Sequence, residues 1–343
     1  MRNFLYILVS ALLASSCSVD PELKPIIPLD GIKEVVPDGW PTPHYNFSQN
    51  PITTDRFALG RELFYEPLFS SDNSVSCASC HQQFAAFAHS AHQFSHGING
   101  LLGTRNAPAL QNLTWNPSFM HDGGVNNIEV FPPAPITNPV EMNETLSNVV
   151  AKISSSAKYK PLFRKAYGDD TVTTQRMFKA IAQFMGTMYS YNSKYDKVKQ
   201  GSDNFTAQEQ SGYSVFTQKC ASCHKEPLFS DYEFRNNGLS VNTLINDSGR
   251  AHITGNATDR YKFKTPSLRN IEVTAPYMHD GRYQTLNDCL NHYTSSVVNS
   301  PTLDPLLSGG IPLNTQEKAD IIVFLKTLTD HKFLADQRYS SPN

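Results

Sequence analysis

The sequence predicts an all-α chain built from two similar modules in tandem, with long connecting loops. Three observations predict it. The pentapeptide Cys-Ala-Ser-Cys-His occurs twice, at Cys77–His81 and at Cys220–His224. A second block repeats behind each copy: Thr104–Leu110 and Phe119–Gly123 after the first, Lys264–Asn270 and Tyr277–Gly281 after the second. Apolar residues recur at helical rather than alternating spacing, so no sizeable sheet is expected. Length and composition agree. A chain of 343 residues suits two domains of ordinary size, and an apolar share of 39% provides for their cores. The formal net charge is −2, without a basic run or an acidic tail, which excludes a nucleic-acid surface and a disordered acidic extension.

Taken in order, residues 1–17 read as a lipoprotein signal peptide. Arg2 supplies a positive start and Phe4–Ala14 an apolar stretch too short to span a bilayer as a mature helix. Ala14-Ser15-Ser16-Cys17 then resembles a lipoprotein cleavage box, although Ala14 stands where leucine is usual. The alternative is an ordinary signal cut near Ser16. The body is expected to be periplasmic and tied to the membrane, if at all, by lipid on Cys17. Residues 18–50 are rich in proline and read as a tether. Residues 51–195 form the first module and residues 205–335 the second. Towards the end of the first, Phe178, Ile181, Phe184 and Met185 mark a helix within Thr174–Tyr191, and the polar stretch Asn192–Asn204 serves as a link. Thr206 with Glu209 is a capping box ahead of the second pentapeptide, and Asn314 with Glu317 opens a final helix.

The six cysteines carry the chemistry. Export usually favours disulfides, but Cys77, Cys80, Cys220 and Cys223 sit in two CxxCH motifs, the signature of covalent c-type haem attachment. Two thioethers need two thiols on one turn of chain. The histidine that follows, His81 or His224, then lies under the iron as its proximal ligand. Zinc or a redox dithiol would leave both histidines unexplained. Two covalent haems are therefore expected, and each would fill much of its module's apolar core. Cys289 lies on a helix-like stretch, Thr285–Tyr293, and reads as a buried free thiol.

Over roughly residues 50–330 the chain resembles the bacterial di-haem cytochrome c peroxidases and their relatives of the MauG type. The resemblance rests on Ser76–His81, Arg105–Pro108, Pro135–Met142, Cys220–Asp231 and Phe263–Gly281. It implies two cytochrome c-like haem domains. The C-terminal haem would take single electrons from a small cytochrome c or cupredoxin, and the N-terminal haem would reduce hydrogen peroxide to water. It also implies a calcium ion between the domains and a homodimer. Met278 matches the sixth ligand of the electron-accepting haem, a role that suits a thioether, which favours ferrous iron; a plain core methionine is the alternative. Glu141 matches the catalytic glutamate, which moves a proton between the two peroxide oxygens; an exposed carboxylate at a helix start is the alternative. Asn106 matches a calcium ligand, its partner carbonyls expected near residues 258–264. His96, in a glycine-bearing loop, matches a histidine that caps the resting peroxidatic haem, with His89 and His92 as rivals.

Two positions depart from the pattern. His121 stands where the family has a tryptophan between the haems, and Phe131 where it has a glutamine. Met120 holds in the first module the place of Met278 in the second. If Met120 or His121 bound the first haem permanently, the protein would be an electron carrier without catalysis. A MauG-like oxidase of a protein or organic substrate is the other alternative to a peroxidase.

Overall fold

Side-chain caps set the helices where the sequence places them. The Thr206 hydroxyl accepts the Glu209 N–H and Glu209 returns the bond, starting Ala207–Lys219. Asn314 with Glu317 starts Thr315–Lys326 in the same way, and Thr285 with Asp288 starts Leu286–Ser295. Thr173 caps Thr174–Gly186, which ends earlier than the apolar pattern alone suggests. Its Thr187 hydroxyl donates back to the Gln183 carbonyl at 2.8 Å and so closes the last turn.

The computed structural model describes Leu29 and residues 31–342. The signal, Cys17 and the first part of the expected tether lie outside the described residues. Among those described, the one sheet is a two-residue ladder, Phe234–Arg235 antiparallel to Phe263–Lys264. No helix among them is long and apolar enough to cross a membrane. The chain is thus mostly helical, as expected.

Two large apolar cores form among the described residues, beside a smaller cluster of Trp115, Tyr189 and Leu228. In the first, Thr54–Phe64 packs on Thr174–Gly186, and Phe57, Phe64, Phe163 and Phe184 are fully buried. Each such ring contributes about 1.5–3 kcal/mol on leaving water. In the second, Ala207–Lys219 packs on Thr315–Lys326 around Phe216, Phe229 and Phe324. One device serves both helix pairs. A Cβ on Gly60 would lie 2.0 Å from the Ala180 carbonyl oxygen, and one on Gly212 would lie 2.0 Å from that of Asp320. Glycine is required at each crossing because the backbones touch there.

Three features differ from the sequence reading. From residue 31 onward the expected tether packs on the body, because its aromatic rings find partners: Trp40 meets Trp115 edge-on at 4.9 Å, and Phe47 is 4% exposed. The polar link Asn192–Asn204 holds a helix, Lys194–Lys199, that carries Asp196 into a fully buried, two-pronged ion pair with Arg269 at 2.8 and 2.9 Å. Finally, the chain returns to the first core at its end. Phe333 and Tyr339 join that core, and Arg61 donates to the Ser340 carbonyl at 2.6 Å.

Candidate functional site

Ser76 opens a single helical turn, Cys77–Cys80, through a capping box with Ser79. The turn sets both cysteines and His81 on the wall of a cavity of about 490 Å³. Burial pushes the Cys77 thiol up to about 12 and the Cys80 thiol up to about 11, so neither behaves as a free reactive thiolate. His81 donates from Nδ1 to the Phe87 carbonyl at 2.7 Å. That bond fixes the tautomer, leaves Nε2 with its lone pair and orients the ring, as it does for metal-bound histidines. Burial in apolar surroundings lowers the ring's pKa to about 4, so the imidazole is neutral and able to ligate. Phe64, Leu110, Phe131, Ile181 and Met185 give the cavity an apolar lining. Two thiols on one turn, an oriented neutral imidazole and apolar walls fit a covalently held haem.

The second copy repeats the essential parts. Cys220 caps Ala207–Lys219, and His224 donates from Nδ1 to the Phe229 carbonyl at 3.1 Å. All four motif cysteines are free and partly buried; Cys289 is likewise free, its thiol pushed up to about 12 by burial.

Met120 and Met278 adopt the same uncommon backbone, with φ of 68° and 74°. Each sits in a turn closed by a β-bridge, Phe119 to Val125 and Tyr277 to Tyr283. Met120 lines the first cavity. The Met278 sulfur accepts the Asn237 side-chain N–H at 3.5 Å, and Asn237 is held in turn by His292, whose Nε2 donates to its carbonyl at 2.9 Å. Sequence reasoning missed Asn237 and His292; neither carries a motif.

Glu141 also lines the first cavity. The short helix Pro133–Thr137 ends at Asn138, and a tight turn follows in which the Glu141 N–H bonds the Asn138 carbonyl at 3.1 Å. Asn138 also donates from its side chain to Glu141 Oε1 at 2.9 Å. Burial raises the Glu141 carboxyl above its usual range, the Asn138 bond pulling the other way. Phe131 lies on the same cavity, so the departure from glutamine replaces a polar lining group by an aromatic ring.

His96 faces the same cavity, although the residue is exposed. Its ring lies 4.7 Å from that of His92 and 6.1 Å from that of His89, so the three histidines of the loop form one cluster. The loop is clasped to the Glu141 segment. Ile98 donates to the Glu141 carbonyl at 2.8 Å, and a Cβ on Gly97 would lie 2.1 Å from the Val140 carbonyl oxygen. Only glycine allows His96 and Glu141 to share this wall.

Asn106 is buried, and its side-chain nitrogen donates to the carbonyls of His92 at 3.1 Å and Gln93 at 3.3 Å. The carbonyls that its nitrogen engages belong to the histidine loop. The side-chain nitrogen is thus engaged within the chain. His121 also lines the cavity, but its Nε2–H is engaged by the Asn106 carbonyl at 2.9 Å. Arg105 bridges Asp122 and Asp247, each at 2.6 Å, and ties the first repeated block to the 245–252 segment that closes the cavity's far side.

The comparisons agree with this geometry. A family profile described as di-haem cytochrome c peroxidase matches residues 54–204. The methylamine utilization protein MauG of Methylorubrum extorquens is 33% identical over 291 residues, covering 81% of this chain and 79% of that one. The cytochrome c551 peroxidase of Nitrosomonas europaea is also 33% identical, covering 81% of each. Among solved structures, a MauG-like protein associated with microbial copper homeostasis superposes with a TM-score of 0.82 at 30% identity, over 90% of this chain and 98% of that one. With two haem-attachment motifs, the first of them opening on the cavity, the chain belongs to the di-haem cytochrome c peroxidase and MauG family.

Proposed function

We propose that the protein reduces hydrogen peroxide to two waters, taking up two protons from solvent and drawing two electrons one at a time from a small cytochrome c or cupredoxin. The observation that carries this reading is the Glu141 carboxylate, held by Asn138 on the wall of the cavity on which Cys77, Cys80 and His81 open. The haem, when bound, supplies the iron that accepts peroxide and electrons. His81 would hold that iron through its free ring nitrogen. Glu141 takes a proton from the near peroxide oxygen and returns it to the leaving oxygen, and its raised pKa suits both halves of the transfer. The aromatic and aliphatic lining keeps bulk water from competing for the proton. Met278 would ligate the second haem, with Asn237 orienting its sulfur, at the site where electrons enter.

In the same reading the protein is periplasmic and lipid-anchored through Cys17, acts as a homodimer, binds calcium near Asn106, and has His96 as the movable cap of the first haem. Each part has a direct test. Cys17→Ser should release the protein from membranes, sedimentation should give a dimer, and calcium removal should lower activity. His96→Ala should leave the oxidised first haem without its resting sixth ligand.

A second reading, oxidation of a protein or organic substrate, is favoured by the likeness to proteins named MauG and MauG-like. Steady-state peroxide consumption with a reduced small cytochrome separates the two: brisk turnover supports the peroxidase, and its absence, with peroxide-dependent oxidation of another substrate, overturns it. A first haem that stays six-coordinate at every potential would instead mark a carrier, with Met120 as its ligand.

A further inference from the structure

Four of the large apolar side chains that stand exposed among the described residues adjoin, in the chain, a residue that lines the first cavity. Leu102 precedes Gly103, Val130 precedes Phe131, Leu244 precedes Ile245, and Ile253 follows His252. Local contacts hold them at the opening. Leu102 pairs with His96 in a β-bridge. Ile253 lies over the end of the first repeated block, where a Cβ on Gly124 would come within 3.0 Å of its Cδ1. Leu244 stands on a turn closed by its own N–H, which donates to the Asn242 side-chain oxygen at 3.1 Å, and it is 95% exposed. The ion pair of Arg105 with Asp247 ties that turn to the first repeated block. An exposed leucine by itself is ordinary. Apolar side chains gathered at one opening mark a binding surface.

The wall behind this collar is apolar too. Phe131 packs on Phe119 with ring centroids 5.6 Å apart, and Pro132, Pro135 and Val140 line the cavity with Glu141. Hydrogen peroxide is small and polar on every side, so aliphatic surface does nothing to hold it. A hydroperoxide with a hydrocarbon tail is held: each methylene withdrawn from water strengthens binding about three- to fourfold. The aromatic ring at Phe131 works in the same direction, since a polar amide there would suit a polar substrate.

Resting on the peroxidase reading, we propose that the Glu141 site also takes, and prefers, organic hydroperoxides with an alkyl tail. The tail lies against Leu102, Val130, Leu244 and Ile253, and the O–OH end reaches Glu141. The O–O bond breaks. Glu141 passes the proton of the terminal oxygen to the oxygen that carries the tail, which leaves as the alcohol. The terminal oxygen leaves as water, with two protons from solvent and two electrons from the same small redox protein. The collar binds the tail and touches no reacting atom.

The test uses the mature di-haem protein with a reduced small cytochrome as donor. The ratio kcat/KM is measured for hydrogen peroxide and for ethyl, butyl and hexyl hydroperoxide. It should rise at least tenfold from ethyl to hexyl, with KM carrying the change. A Leu102→Gln, Leu244→Gln double variant should lower the preference for hexyl hydroperoxide over hydrogen peroxide by tenfold or more. Both positions are exposed, so the fold tolerates the change, and haem content and spectra check it. Leu306→Gln, on an exposed residue that does not line the cavity, should leave the preference as in wild type. Hexan-1-ol, the product, titrated calorimetrically into the oxidised protein without donor or peroxide, should bind more weakly to the double variant. A flat alkyl series, or a preference unmoved in the double variant, overturns the proposal. So does a double variant that changes only the oligomeric state in sedimentation, which would make the collar an interface between copies. Hydrogen peroxide turned over with no gain from a tail sinks this inference and leaves the proposed function standing, whereas no turnover of any peroxide sinks both.

Discussion

The side chain of Asn138 donates to Glu141 Oε1 at 2.9 Å, across the tight turn that follows Pro133–Thr137. The amide holds one carboxylate oxygen and leaves the other available to the cavity. An acid–base group placed in this way typically contributes about 10² to 10⁴ in rate. Glu141→Gln should cut peroxide turnover by at least the low end of that range, with both haems attached and both potentials near wild type. Asn138→Leu should fall between the two, because it frees the carboxylate without removing it. Turnover that survives Glu141→Gln would place the proton transfer on another residue.

Met278→His should lower the potential of the C-terminal haem, since imidazole stabilises ferric iron relative to a thioether. Electron delivery from the donor should fall while the first haem's spectrum stays as it was. Asn237→Leu should shift the same potential by less, because it removes the N–H at the sulfur and leaves the ligand in place. A redox titration followed optically reads both; an upper potential unmoved by Met278→His would show another sixth ligand.

The Asp196–Arg269 pair is wholly buried, so removing one partner strands a charge. Asp196→Ala should cost about 3–5 kcal/mol in stability. An Asp196→Leu, Arg269→Met double variant should recover part of that loss. Denaturant titration of the three proteins checks the order; a single variant as stable as the double would contradict it.

Lys264 is half-buried, its ammonium donating to the Ser118 carbonyl, and burial of the charged end brings its pKa down to about 8. The unfolded chain keeps the ordinary value near 10.5. Between those two values the unfolded state binds more protons than the folded one, so this group makes stability rise with pH, by at most about 1.4 kcal/mol per unit. The gain should be absent below about pH 8 and should level off above the unfolded value. Lys264→Met should remove this part of the slope, read as the difference between wild type and variant in unfolding free energy across the window.

Much of this was legible because it is local. CxxCH spacing fixes a single turn, and the capping boxes at Thr206 and Asn314 fix helix starts within a few residues of chain. The repeated block was legible too, since it is written twice. What sequence could not show was pairing at a distance. Nothing in Asn192–Asn204 marks Asp196 as the partner of Arg269, and nothing near Asn237 points to the Met278 sulfur. Trp40 and Phe47 were read with the prolines around them, and the rings they dock on lie far along the chain. Asn106 was legible as a special residue, but its contacts with His92 and Gln93 depend on how the histidine loop folds back.

Phe333 and Tyr339 fill the first core, although both follow the second haem motif in sequence. The first core is thus keyed shut by rings supplied from far along the chain. Trimming either ring should loosen that core at a distance, while the lining of the first cavity, to which neither contributes, keeps its own residues.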